Sequence, residues 1–190
     1  EIHVDTYLLD DVPVSVGRYA AFVKAGGYSQ RELWDDDAWA WLEGSGRRAP
    51  EGWRPTDEGW AIRSLFAWHP LDEVAAWPVQ VSHAEAAAFA RWSGGRLPTE
   101  AELHRAIWGD ETGPWPWGHA APTLQHANLG FRSGGLRPVG RSSAGRGRAT
   151  ARFRRAARRV SGECPPPMPR SRRRESRSGQ CSRRRSRRRR

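Results

Sequence analysis

Cysteine is scarce in this 190-residue chain, and the two that occur, Cys164 and Cys181, both lie in its last fifty residues. The first 140 residues therefore have no thiol for a disulfide, a zinc cluster or a nucleophile. Long hydrophobic runs are also missing, because no segment approaches the roughly 18 apolar residues of a membrane-spanning helix. These absences exclude cysteine chemistry from residues 1–140 and an integral membrane protein, and we expect a cytoplasmic location.

The two ends of the chain differ in charge and in apolar content. Residues 1–140 hold 12 basic and 19 acidic residues, a net charge of −7, whereas residues 141–190 hold 20 and 2, a net charge of +18. All 11 tryptophans lie in the first part, and the last fifty residues contain no Leu, Ile, Trp or Tyr. Only residues 1–140 can bury a core, so we expect an acidic domain followed by a basic, disordered tail over 141–190.

Periodicity and capping residues predict the first elements. Strict alternation from Ile2 to Leu9 predicts a half-buried strand. Ser15 is the predicted N-cap of a helix that stops at Gly26-Gly27. Asp35, Asp36 and Asp37 favour the start of a second helix over a metal site, because contiguous carboxylates do not converge on one ion without a turn.

The middle of the chain combines loops with short elements. Residues 44–58 are rich in Gly, Pro and charge and are predicted to form a loop, with strands to follow at 60–66 and 78–81. Two capping boxes, Ser82 with Glu85 and Thr99 with Glu102, each predict a helix N-terminus with reciprocal hydrogen bonds. Residues 113–140 show little periodicity and predict an ordered loop held by aromatic rings. Short helices and strands in this order indicate an α+β domain.

One long segment, Trp77 to Ala106, reads WPVQVSHAEAAAFARWSGGRLPTEAELHRA. It resembles the signature of the formylglycine-generating-enzyme, or sulfatase-modifying-factor, domain. Three further matches follow it, at Pro116-Trp117-Gly118, Ala127-Asn128 and Pro138-Val139-Gly140. Within the family, the chain looks most like the C-terminal domain of ergothioneine-type sulfoxide synthases, on the wording His83-Ala84-Glu85-Ala86 and the segment from Arg31 to Leu42.

The resemblance implies a C-type-lectin-like fold over residues 1–140, incomplete at its C-terminus because relatives continue into a Trp-Glu-Trp-like motif. Relatives are either copper-dependent oxidases, which use paired cysteines, or iron-dependent enzymes that join a small thiol to a histidine betaine. In the iron enzymes a separate helical domain holds the metal and the lectin-like domain forms one wall of the substrate pocket. We expect such a helical domain upstream of Glu1, where the chain has the look of a cut end.

Metal-binding candidates are few. The six histidines, none of which forms an i, i+3 or i, i+4 pair on a predicted helix, are expected to be surface or capping residues. By resemblance to the oxidases, the Asn128 side chain and the Leu129 carbonyl are candidate ligands of a structural calcium. The alternative, which we favour, is that Asn128 fixes a tight loop by hydrogen-bonding its own backbone.

No residue of the chain stands out as catalytic. Arg96 and Glu100 bracket a predicted helix start, and we favour a buried salt bridge that locks the loop over an acid, base or anion site. Since neither metal ligands nor a nucleophile are evident, we expect the chain to catalyse nothing alone.

The tail has two explanations. A frameshift near residues 140–146 of GC-rich DNA yields Arg, Ala, Gly, Pro and Ser in this mixture, and we favour it. An evolved RNA-binding arm is the alternative, although only Phe153 is present to stack on a base. In either case the charge implies non-specific polyanion binding.

Three functions remain open for residues 1–140. The first is the substrate-pocket domain of an iron-dependent sulfoxide synthase. The others are a non-catalytic lectin-like binding domain and a formylglycine-forming oxidase that acts on a sulfatase cysteine.

Overall fold

The computed structural model describes residues 2–109, 113–130 and 135–140. Its elements, in chain order, are α1 (Val16–Lys24), two 3-10 turns (Gly27–Ser29 and Arg31–Leu33), α2 (Asp36–Ser45), β1 (Trp53–Thr56), β2 (Gly59–Arg63), β3 (Trp68–Pro70), α3 (Leu71–Val74), α4 (His83–Trp92) and α5 (Glu100–Trp108). Helices predominate over one small sheet, which confirms the predicted mixture of helix and strand.

The sheet has the order β1-β2-β3, and both pairings are antiparallel. Trp53 lies opposite Ile62, and Ile62 lies opposite His69, so these three side chains share one face. Trp53 and Ile62 are buried in the core. The sheet therefore presents this face to the helices.

Aromatic rings fill the core between α1, α4 and the sheet. Tyr19 stacks on Phe89 with ring centroids 5.3 Å apart and meets Trp53 edge-on at 6.1 Å. Phe22 has no exposed surface and contacts Phe89 edge-on at 5.9 Å. Edge-on and offset contacts of this kind add to the energy of apolar burial.

Helix starts follow the predicted capping. Ser15 accepts a hydrogen bond from the Arg18 N–H at 3.3 Å, and Gly26 adopts a φ of 76° just beyond α1. Both capping boxes are present, with Glu85 and Glu102 each bonded back to the backbone of the N-cap residue. The three aspartates lie at the start of α2, as predicted.

The N-terminal strand prediction is wrong. Residues 2–10 are irregular and pair with no strand in the described part of the chain. Ile2 and Leu8 are 77% and 70% exposed, whereas the Tyr7 hydroxyl donates to the Glu102 carbonyl at 2.5 Å. Alternation alone does not make a strand, because a strand needs a partner for its backbone groups.

The other strand predictions are partly wrong. The predicted strand over 60–66 ends at Arg63, since Ser64 N–H donates to the Ala67 carbonyl at 2.8 Å and turns the chain. At 78–81 there is only a single bridge, between Pro78 and Ser15. The predicted loop over 44–58 contains the end of α2 and all of β1.

The proposed division at residue 140 and the disorder of the tail lie outside the described residues and stay predictions. None of the helices in the described part of the chain has the length and apolarity needed to cross a bilayer.

Candidate functional site

A cavity of about 790 Å³ opens beside the core. Its apolar wall is formed by the start of α1, the inner face of the sheet and the segment before α4, through Val16, Trp53, Ile62 and Trp77. Cavities of roughly 300–1,000 Å³ with aromatic walls are typical small-molecule sites. The cavity is therefore the candidate functional site.

The mouth of the cavity carries an aromatic ring and an ion pair. Trp41, on α2, is 42% exposed, and the Arg47 guanidinium lies 5.7 Å from its ring centroid. Arg47 also pairs with Glu51 at 3.6 Å. All three residues line the cavity, so the positive charge at the mouth already has a negative partner.

A buried carboxylate residue, Glu85, also lines the cavity. Only 4% of Glu85 is exposed, and its two oxygens accept hydrogen bonds from the Tyr28 hydroxyl at 2.6 Å and the Ser82 N–H at 2.8 Å. Tyr19 lies within 3.3 Å of the Tyr28 hydroxyl and donates to the Glu85 carbonyl at 3.4 Å. A hydrogen-bonded network thus joins α1, the first 3-10 turn and α4.

Burial sets the ionisation of the two tyrosines. Loss of solvent raises the pKa of Tyr19 and that of Tyr28 far above their ordinary value, and the proximity of Glu85 raises both further. Both hydroxyls therefore remain protonated, so Tyr28 remains a hydrogen-bond donor to the carboxylate of Glu85.

Asn128 lies at the cavity, as a loop residue. Its side-chain amide donates to the Gly135 carbonyl at 2.8 Å and joins two parts of the loop. Leu129 is 38% exposed and is not part of the cavity wall. The calcium site at Asn128 and Leu129 stays a prediction.

Three of the six histidines, His69, His104 and His126, pack on tryptophan rings. His69 meets Trp77 edge-on at 5.1 Å, and His126 stacks on Trp117 at 4.5 Å while its Nδ1 accepts from the Thr123 N–H at 3.1 Å. Among the described residues, no group of three or more His, Cys, Asp or Glu side chains is arranged to hold a metal. The described residues therefore do not fit an iron site.

Arg96 forms a salt bridge with Glu102, but the pair is not buried as expected, because the Arg96 side chain is 64% exposed. Its guanidinium binds both carboxylate oxygens of Glu102, at 2.7 and 2.6 Å. Hydrogen bonds from Arg96 and from the Thr99 N–H lower the pKa of Glu102 to about 2. Glu100, the other residue considered at this helix start, is exposed on the first turn of α5. The pair lies outside the cavity wall and locks the loop before α5.

Comparison with known proteins decides the family. The family described as "Sulfatase-modifying factor enzyme 1-like domain" matches residues 1–157. The chain belongs to this family. The sulfatase-modifying-factor resemblance carried by the segment from Trp77 to Ala106 is thereby confirmed.

Similar proteins come from both branches of the family. The hercynine oxygenase of Mycolicibacterium thermoresistibile is 40% identical over 149 residues, which cover 76% of this chain and 32% of that protein. The formylglycine-generating enzyme of Mycobacterium tuberculosis is 41% identical over 80 residues, covering 42% of this chain and 22% of that enzyme. Ergothioneine biosynthesis protein 1 of Schizosaccharomyces pombe is 28% identical over 101 residues, 53% and 11% of the two chains. The chain spans about a third of the length of the hercynine oxygenase.

Most of the cavity wall could not be identified from the sequence. Trp41, Trp53 and Trp77 were only part of a high tryptophan count, and Glu85 was identified only as a capping residue. The contact between Glu85 and Tyr28 joins residues 57 positions apart, and no local pattern indicates it. The one available signal was the concentration of tryptophan in the first 140 residues.

Proposed function

We propose that residues 1–140 form the lectin-like, substrate-pocket domain of a nonheme-iron sulfoxide synthase of ergothioneine biosynthesis. The supporting observation is the 40% identity over 149 residues to a hercynine oxygenase, within which the chain presents a tryptophan-walled cavity of small-molecule size. The domain binds one face of hercynine, the histidine betaine, and excludes water from it. By the same resemblance, the second substrate of the enzyme would be a small thiol.

Iron belongs to another part of the enzyme in this proposal. Because the described residues do not fit an iron site, the role that we assign to this chain is binding alone. An upstream helical domain would supply the metal ligands. We therefore expect the isolated chain to form no sulfoxide product, and to support product formation only when that helical domain is added.

Calorimetric titration of the purified chain with hercynine tests the binding role. Hercynine should bind more tightly than L-histidine, which differs from it by three methyl groups. Trp41→Ala should weaken hercynine binding, since Trp41 lies at the cavity mouth. Trp115→Ala is the matched control, because Trp115 is exposed to the same degree but does not line the cavity. Equal affinity for the two ligands, or none for hercynine, would contradict the proposal.

A non-catalytic binding domain is the second candidate. The absence of a metal-holding group among the described residues favours it. Adding the helical domain to the chain distinguishes this candidate from the first. A purely binding domain would bind a ligand yet add nothing to the activity of any helical domain. The oxidase alternative would require conversion of a cysteine in a sulfatase peptide, although residues 1–140 contain no cysteine.

A further inference from the structure

Glu85 is a buried carboxylate without a cationic partner in the described part of the chain. The groups that bond its oxygens, the Tyr28 hydroxyl and the Ser82 N–H, are neutral donors. None of the ion pairs among the described residues includes Glu85, although it is only 4% exposed. Buried carboxylates are ordinarily paired with a cation, because an uncompensated charge is costly to bury.

The positive groups around the cavity do not supply that partner. Arg47 is paired with Glu51 at the mouth. Arg63 also contributes to the lining, but its side chain lies on the opposite face of β2 from the inward-facing Ile62, opposite Trp68 of β3. The cavity lining therefore combines one carboxylate that has no cationic partner among the described residues with the aromatic rings of Trp53 and Trp77.

We propose that Glu85 is the counter-ion for a cationic head group of the small molecule that occupies this cavity. Quaternary ammonium groups fit this chemistry, because they bind against aromatic rings and carboxylates and need no hydrogen-bond acceptor. This proposal rests on the proposed function in its choice of ligand, since hercynine carries a trimethylammonium group. It assigns Glu85 a binding role beyond its role as the cap of α4.

The decisive variant is Glu85→Gln, which keeps the size of the side chain and one accepting oxygen but removes the charge. The matched control is Glu102→Gln, which makes the same change at the same position of the second capping box, away from the cavity. Circular dichroism first identifies a temperature at which both variants and the parent chain are folded. Calorimetry at that temperature then measures the affinity of each protein for choline and for its uncharged isostere, 3,3-dimethylbutan-1-ol.

The parent chain and Glu102→Gln should bind choline more tightly than the uncharged isostere. Glu85→Gln should lose about tenfold or more in affinity for choline and retain its affinity for the isostere, because only the charged ligand uses the carboxylate. Equal loss for both ligands, or an equal loss in the two variants, would show that Glu85 acts only through the fold and would overturn the proposal. Failure of choline to bind the parent chain would overturn it as well.

Titration of the same proteins with hercynine separates the two proposals. Binding of hercynine that is unchanged in Glu85→Gln would leave the proposed function intact and remove the counter-ion role. Choline binding that depends on Glu85, without any hercynine binding, would support the counter-ion role and contradict the proposed function.

Discussion

Gly27 lies against the ring of Phe22, the most completely buried aromatic side chain of the core. A Cβ atom at Gly27 would be 1.9 Å from Cε2 of Phe22, and the Gly27 carbonyl accepts the indole N–H of Trp34 at 2.9 Å. Glycine is therefore required here by close approach, with little freedom for either neighbour to move.

We expect Gly27→Ala to lower the free energy of unfolding by at least about 1–3 kcal/mol, because overpacking displaces a buried ring. Gly44→Ala is the control, since nothing lies within 4 Å of a Cβ at Gly44, in α2. That substitution should stabilise the protein by roughly 0.5–1 kcal/mol through helix propensity. Urea denaturation measures both, and equal stability of the two variants would contradict the packing argument.

Glu102 makes the stability of the folded chain depend on pH. Its ordinary pKa of 4.5 falls to about 2 in the folded chain, so the folded state binds its proton less readily than the unfolded state. The contribution of Glu102 is therefore complete above pH 4.5 and is lost as the pH falls from 4.5 towards 2.

We expect Glu102→Gln and Arg96→Ala to lower the melting temperature at neutral pH, and the effect of Glu102→Gln to shrink near pH 2. Glu100→Gln, on the same helical turn, should leave the melting temperature unchanged because its carboxylate is exposed. Thermal melts across this pH range measure the difference. A constant effect of Glu102→Gln from neutral pH to pH 2 would be inconsistent with the lowered pKa.

At the scale of elements, the network around Glu85 joins helices distant in sequence. Tyr28→Phe removes the only hydroxyl that donates to Glu85 Oε1 among the described residues. Because a buried acceptor then loses its partner, we expect the free energy of unfolding to fall by about 1–3 kcal/mol. Tyr19→Phe should cost less, since its two hydrogen bonds are longer, at 3.3 and 3.4 Å. Chemical denaturation of both variants tests this order, and a larger effect at Tyr19 would reverse it.

The helix starts could be predicted from the sequence because each capping interaction spans three residues. Ser82 with Glu85 and Thr99 with Glu102 form both of their reciprocal bonds, as the spacing indicates. The strands could not be predicted as well, because their stability comes from cross-strand partners rather than from local pattern.

Two strands that contain proline show why the sequence pattern alone does not identify a strand. β1 contains Pro55 and β3 ends at Pro70, and proline in a sequence argues against a strand. Both strands lie at the edges of the sheet, where a missing N–H is tolerated. The position of a strand within a sheet is a tertiary property, so the sequence pattern indicated only the central strand, β2.

The candidate site was predictable only in part for the same reason. Asn128 was identified by resemblance and does line the cavity, but Leu129 does not. A buried salt bridge was expected at the helix start, but Arg96 remains largely exposed and binds Glu102, which is directed back towards the N-cap. The cavity itself brings together residues from Val16 to Leu136, a separation that no motif spans.

At the scale of the whole molecule, the net charge of +11 is unevenly distributed, with −7 over residues 1–140 and +18 over residues 141–190. We expect the complete chain to bind polyuridylate with an affinity that falls steeply with salt, because binding releases counterions from the polyanion. Removal of residues 141–190 should abolish this binding. A nitrocellulose filter assay measures it, and undiminished binding by residues 1–140 would place the interaction within those residues.

The burial of Tyr19 and Tyr28 also gives the folded chain an optical property. Of its three tyrosines, two keep their hydroxyl protons at a pH that ionises tyrosine in an unfolded chain, and the pKa of Tyr7 is also raised. Above pH 10 the unfolded state releases protons that the folded state retains, so alkali favours unfolding. Phenolate absorbance in the near ultraviolet would therefore increase as the core opens, and would report the unfolding of α1 against α4 without any added label.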